Sequence, residues 1–188
     1  MQGTRVNGRR LVFFIIIPVI IFVSLLLLDQ LTKNYFRTEC NEQVVEVIKN
    51  FFYFDYVVNT GSAFSFMANV AWAQTFFKIL TPITLIFFIA FYIYAYKKGY
   101  KWLIFSLTLV ICGTMGNYID RLIFSGVTDF LSFKFGAYYF PTFNFADAYL
   151  CVGVAMMIIH LLFIDEYAIF KNEKKDNGSN NQSAESQD

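Results

Sequence analysis

Four runs of apolar positions punctuate the chain: Leu11 to Leu28, Ile79 to Tyr96, Trp102 to Ile119 and Ala148 to Ile164. None contains Asp, Glu, Lys or Arg. Each is 17 or 18 residues long, which at about 1.5 Å per residue covers roughly 27 Å. A polar residue or two at each end brings that to the thickness of a hydrocarbon core, so the pattern predicts four transmembrane helices. Arg5, Arg9 and Arg10 precede the first run as they would a secretory signal. That run is longer than a usual signal core and no small-residue cleavage site follows it, so it is read as an uncleaved first span.

The chain between the first two runs, residues 34–75, has a different pattern. Gln43 to Val58 is dense in Val, Ile, Phe and Tyr with Glu46, Lys49 and Asp55 interspersed, which predicts one or two short strands in a small sheet on the membrane surface. After the turn signal Asn59-Thr60-Gly61, the apolar positions from Ala63 to Trp72 predict a short interfacial helix. Residues 171–188, rich in Asn, Ser, Gln, Glu and Lys without apolar periodicity, predict a disordered cytoplasmic tail. The expected fold is an all-α membrane protein with four transmembrane helices in one domain, residues 1–170.

Composition strengthens the membrane assignment. Of 188 residues 57% are hydrophobic and 15% charged, and the mean hydropathy of +0.50 is too high for a soluble domain of this size to hide from water. A net charge of +1 gives no sign of a nucleic-acid partner. Cys40, Cys112 and Cys151 show neither disulfide nor zinc-ligand spacing and are read as bystanders; no metal and no cofactor is expected. Nine of the fifteen Lys and Arg lie at the N-terminus (Arg5, Arg9, Arg10), between runs two and three (Lys97, Lys98, Lys101) and in the tail (Lys171, Lys174, Lys175). The excess of positive charge marks cytoplasmic segments, so both termini are expected in the cytoplasm.

That topology gathers the remaining polar residues. Asp29, Thr32 and Lys33 follow span one, Asn59 lies ahead of span two, Asn117, Asp120 and Arg121 end span three, and Asn144 and Asp147 begin span four. All fall on the outer side. Asp29 and Lys33 are four apart, and Gly113, Gly116, Asn117 and Asp120 run down one helical face, with the glycines permitting close helix approach. Charged residues at membrane depth are costly and face the bundle interior or a wet cavity, which makes this convergence a candidate functional site.

These segments also carry a resemblance. Asp29-Gln30-Leu31-Thr32-Lys33, Asn59-Thr60-Gly61-Ser62-Ala63-Phe64, the stretch Gly113 to Arg121, Val127-Thr128-Asp129-Phe130 and Pro141 to Asp147 resemble the motif set of bacterial lipoprotein signal peptidases, in that family's order, over roughly residues 11–165. The resemblance implies an aspartic endopeptidase of the bacterial cell membrane, with its site at the outer face. It would cut diacylglyceryl-modified prolipoproteins on the N-terminal side of the lipidated cysteine. The partners implied are these substrates and membrane lipids, and a monomer is the expectation. The family's two aspartates fall on Asp129 and Asp147. Cys112 replaces a usual glycine, Phe140 stands before Pro141 where Trp is common, and the polar tail is extra; none of these touches the pair.

Chemistry agrees with that assignment. Two neighbouring carboxylates resist double ionisation and share a proton. The ionised one takes a proton from water while the neutral one polarises the scissile carbonyl. Asp147 falls in the first turn of span four, where the helix dipole favours charge, and Asp129 is expected in an irregular loop after Gly126. Which of them holds the proton stays open, because the pair titrates as a unit. Asn117, Arg121 and Asn144 are expected to orient the pair and meet the substrate backbone, Asn59 and Gly61 to line the entrance, and Asp29–Lys33 to form a buried pair. Asp120 and Arg121 suit an ion pair as well as substrate contact. His160 lies 13 residues beyond Asp147, roughly 20 Å along a helix, too far to join it. Two rivals differ in the site they need. A transporter would place its carboxylates near the midplane. A Mg²⁺-dependent lipid headgroup transferase would use Asp29, Asp120, Asp129 and Asp147 as ligands for a substrate on the cytoplasmic side.

Overall fold

A computed structural model describes residues 8–40, 44–61, 72–124 and 126–164. Four helices in it are long and apolar enough to cross a membrane: α1 (Gly8–Glu39), α2 (Ala73–Lys98), α3 (Lys101–Ile123) and α4 (Phe145–Ile164). The expected interfacial helix, apart from Trp72, and the polar tail lie outside the described residues.

Each helix contains one of the apolar runs, and α1 exceeds its run most. The sequence places the end of span one at Asp29; the helix continues to Glu39 because Asp29 and Lys33 are buried and paired with each other rather than set in water. Near its start α1 widens into a π turn at Val12–Ile16, just ahead of Pro18. Proline has no N–H to return to the Phe14 carbonyl, and the Tyr92 hydroxyl of α2 donates to that carbonyl at 2.6 Å instead.

The α2–α3 turn follows from Gly99, whose positive φ of 76° ends α2 in a left-handed residue. Gly99 N–H then donates to the Tyr96 carbonyl and Tyr100 N–H to that of Ala95, the paired closure of a Schellman motif. Arg10 donates to the carbonyls of Tyr96 (2.7 Å) and Lys97 (3.2 Å), a cation on the negative end of a helix. The start of α1 and the α2–α3 turn therefore share one end of the bundle.

α3 is the central helix, with Leu103, Ile104, Leu107 and Val110 fully buried. Its approach to α4 depends on missing side chains. A Cβ on Gly113 would run into the Ala146 carbonyl oxygen, and one on Gly153 would lie 2.8 Å from Val110 Cγ2 and 2.9 Å from the Ser106 carbonyl oxygen. Backbone cannot yield as a flexible side-chain tip can, so Gly113→Ala is expected to separate the helices, lower the unfolding temperature in detergent and reduce activity. Unchanged thermal stability would contradict this packing.

Over the other end lies an antiparallel sheet in the order β1 (Val45–Ile48), β2 (Phe52–Asn59), β3 (Val127–Phe135), β4 (Tyr138–Phe143). The first two strands are those expected before span two. The other two correct the expectation: the chain between α3 and α4 is a hairpin rather than an irregular loop, so the protein is not all-α. Val-Thr-Asp-Phe-Leu-Ser-Phe-Lys-Phe is rich in β-branched and aromatic residues, and Gly136 (φ 63°) supplies the left-handed turn to β4. β3 is buried from Val127 to Ser132, so its strand signal lacks the alternation of a half-exposed strand. The extension of α1 packs beneath it, with Phe36 stacked on Phe130 at 4.4 Å between centroids.

Candidate active site

Asp129 sits in β3, opposite Val57 of β2, and is 2% exposed. Two amides hold it: Asn144 Nδ2 donates to Oδ1 at 2.6 Å and Asn59 Nδ2 to Oδ2 at 3.0 Å. Asn59 is itself oriented, because its Oδ1 accepts the Gly61 N–H at 3.0 Å, leaving the NH₂ group to face the carboxylate. Gly126 lets this end of β3 close on β2, since a Cβ there would lie 2.8 Å from the Asn59 carbonyl oxygen.

Asp147 is set by the start of α4. Asn144 is the N-cap, its Oδ1 accepting from Asp147 N–H at 2.9 Å, while Asp147 Oδ2 accepts the Asn144 N–H at 3.2 Å. The two form a reciprocal capping box with Asp in the usual Glu position. Asn117 Nδ2 donates to Asp147 Oδ1 at 2.7 Å. Asn144 is fully buried and is the hinge of the arrangement. Its oxygen serves the backbone of Asp147, so its NH₂ group faces Asp129, Asn117 Oδ1 and the Thr128 carbonyl.

Two ion pairs support these groups from behind. Lys33 lies 2.9 Å from Asp29, both essentially inaccessible, and Asp29 Oδ1 accepts the Ala146 N–H of α4 at 2.9 Å. A Cβ on Gly116 would come within 2.6 Å of Asp29 Oδ2, so both glycines of the expected helical face are needed for the approach of neighbouring groups. Asp120 accepts from the Thr128 N–H (2.9 Å) and pairs with Arg37 (3.3 Å), which also donates to Thr128 Oγ1 at 2.7 Å. Asp120 is thus an ion-pair partner that secures β3. Arg121 donates to the carbonyls of Gly61 (3.1 Å) and Asn117 (3.3 Å).

A cavity of about 320 Å³ opens onto the pair. Asp129, Asp147, Asn59, Asn117 and Arg121 form its polar wall; Val127, Phe140, Pro141, Phe143 and Leu150 are among its apolar residues. The backbone of Gly61, the other residue expected at the entrance, donates to Asn59 and accepts from Arg121. Cys151, read from sequence as a bystander, is on the wall. Burial, and then the charge of Asp147, push the Asp129 carboxyl up to about 7, against the opposing hydrogen bonds from Asn59 and Asn144. Arg37 and Thr128 were not singled out from sequence. The available signal for Arg37 was its position four residues after Lys33, on the face that begins with Asp29.

Four apolar helices with two amide-bound carboxylates gathered at one end, Asp129 buried in β3 and Asp147 half-buried on α4, define a multi-pass membrane protein with a site suited to acid–base chemistry. The model of the family described as Signal peptidase (SPase) II matches residues 11–163, and the chain belongs to that family. It is a protease. The lipoprotein signal peptidase of Listeria welshimeri is 38% identical over 149 residues, 78% of this chain and 93% of the relative. That of Maridesulfovibrio salexigens is 39% identical over 143 residues, 74% and 91%. A bacterial membrane enzyme solved by the in meso method at 2.3 Å superposes with a TM-score of 0.72 at 32% identity, covering 83% of this chain and 96% of that one.

Proposed function

We propose that this protein removes the signal peptide of diacylglyceryl-modified prolipoproteins by hydrolysis on the N-terminal side of the lipidated cysteine, with Asp129 and Asp147 as the reacting pair. The observation that carries this reading is the cavity: both carboxylates face it, and their other contacts are to donors held in place by further hydrogen bonds. One carboxylate, ionised, takes a proton from the attacking water; the other, neutral, donates to the scissile carbonyl oxygen as it becomes tetrahedral. Arg121 lines the cavity beside both carboxylates, which puts its guanidinium where a substrate carbonyl could meet it.

The same reading places both termini in the cytoplasm and the site at the outer face of the bacterial cell membrane, on the Lys and Arg asymmetry and on the shared end of Arg10 and the α2–α3 turn. Residues 1–170 act as one peptidase domain, in a monomer. Purified protein is expected to cleave a lipidated prolipoprotein, with or without chelator, and to cleave the bare precursor far more slowly. Acyl chains hold the scissile bond at the hydrocarbon boundary, each buried CH₂ contributing about 0.8 kcal/mol. Equal rates on the two precursors would remove the reason for a site at that depth.

A further inference from the structure

Accepting Asp129 and Asp147 as the reacting pair, we propose that Lys33, acting through the side chain of Asn117, divides the work between them: Asp147 is the base and Asp129 carries the proton. Lys33 is a positioning residue here, since it touches neither the cavity nor a reacting atom.

The argument is one of donors and acceptors. A lysine ammonium has three donors and no acceptor. The Asn117 atom 3.0 Å from Lys33 Nζ is therefore Oδ1, and that oxygen also accepts Asn144 Nδ2 at 3.1 Å. Its orientation is fixed from two sides. The other end of the amide, an NH₂ group that can only donate, is then aimed at Asp147 Oδ1 at 2.7 Å. Asp147 Oδ2 meets the Asn144 N–H, and the carboxylate sits on the N-terminal turn of a helix. Asp147 thus receives the polarisation of a cation through one amide together with the helix dipole.

Asp129 receives less. It lies in a strand, whose dipole is small, and its two donors are the neutral amides of Asn59 and Asn144. Among the described residues, the charged groups around the pair are Asp29, Lys33 and Arg37 from α1 and Asp120 and Arg121 from α3, with Arg37 paired to Asp120. Asp29 balances the net charge of Lys33, so the effect reaches Asp147 by the direction of the Asn117 dipole rather than by an excess of positive charge. Arg121 adjoins the cavity near both carboxylates and gives no such asymmetry.

The cycle closes on this assignment. Water adds to the carbonyl carbon, its proton passing to Asp147 as the Asp129 proton passes to the carbonyl oxygen. The tetrahedral diol collapses when Asp147 returns its proton to the leaving amine and Asp129 takes one back from a hydroxyl. Both carboxyls end as they began.

Dicyclohexylcarbodiimide, which adds to protonated carboxyls in apolar surroundings, tests it on the full chain in detergent. Peptide mass spectrometry is expected to locate the adduct on Asp129, with labelling falling as pH rises through about 7 and at least fivefold less on Asp147. Lys33→Gln is expected to spread labelling to Asp147 and to lower kcat more than tenfold with little change in KM, with Lys33→Arg restoring the original partition. Where Lys33→Gln does not fold, the wild-type labelling decides alone. A principal adduct on Asp147, no adduct on either residue at pH 5, or an unchanged partition in folded Lys33→Gln would each overturn the proposal. Failure of the parent reading looks different: Asp129→Asn and Asp147→Asn would then still cleave precursor.

Discussion

Asp129→Asn and Asp147→Asn are each expected to abolish cleavage of lipidated precursor, with losses on the order of 10⁴-fold, while expression, membrane insertion and folding stay near normal. The amide keeps the volume of the carboxylate, and its single oxygen can keep one of the two donors that each carboxylate accepts from, so packing is largely preserved. What it cannot do is take a proton from water or share one with its partner, and proton transfer alone contributes about 10²–10⁴-fold. Because the two act as a unit, the double variant is no slower than either single one. The pH profile carries the same signature. Asp129 rises from 3.8 to about 7 on folding, so activity declines as pH passes 7 and the pair loses its one proton. A raised carboxylate contributes stability that is complete below 3.8 and is lost as pH climbs through about 7. The wild-type unfolding temperature therefore falls between pH 5 and pH 8, and Asp129→Asn flattens that slope. Single variants that keep substantial activity would refute the paired-carboxylate reading and leave the fold intact.

Asp29→Asn has the other large effect, on stability as well as rate. Lys33 is 0% exposed and its ion-pair partner is Asp29, 2.9 Å away. Removing one charge of a buried pair leaves the other uncompensated, at a cost of about 3–5 kcal/mol. The same carboxylate holds the Ala146 N–H at the start of α4, so the helix that carries Asp147 loses an anchor too. Thermal unfolding in detergent shows the loss, and adding Lys33→Met to Asp29→Asn recovers part of it, because the stranded ammonium is gone. A single variant as stable as the wild type would show that the pair contributes nothing at this depth.

Much of this architecture was legible because a bilayer permits few solutions. An uncharged run of 17 or 18 residues has little choice but to span as a helix, and alternation of spans then brings Asp29, Asn117, Asn144 and Asp147 to one end without any tertiary detail. What failed were boundaries and the second half of the sheet. Asp29 looks like the edge of a span because charge usually meets water there; its partner Lys33 and the Ala146 N–H are an internal substitute for water that a one-dimensional pattern does not display. β3 was missed for a related reason. A strand buried between two neighbouring strands and a helix has no alternation, and the Asp within it reads as loop chemistry. Arg37 shows the opposite case, where the helical spacing was present but span one was ended too early for the residue to belong to it.

The hinge role of Asn144 bears on biosynthesis. A ribosome delivers this chain from Met1 onward, so α1, α2, α3 and the β3–β4 hairpin all leave the exit tunnel before the N-cap of α4 does. Until then Asp129 lacks the amide at 2.6 Å, Asn117 lacks its contact with Asn144, and Asp147 is absent. A nascent chain stalled after Phe143 holds all four described strands and three of the four described helices, and lacks one member of the proposed pair. On the proposed assignment, activity would therefore wait for the docking of the final helix, after the rest of the chain has entered the membrane.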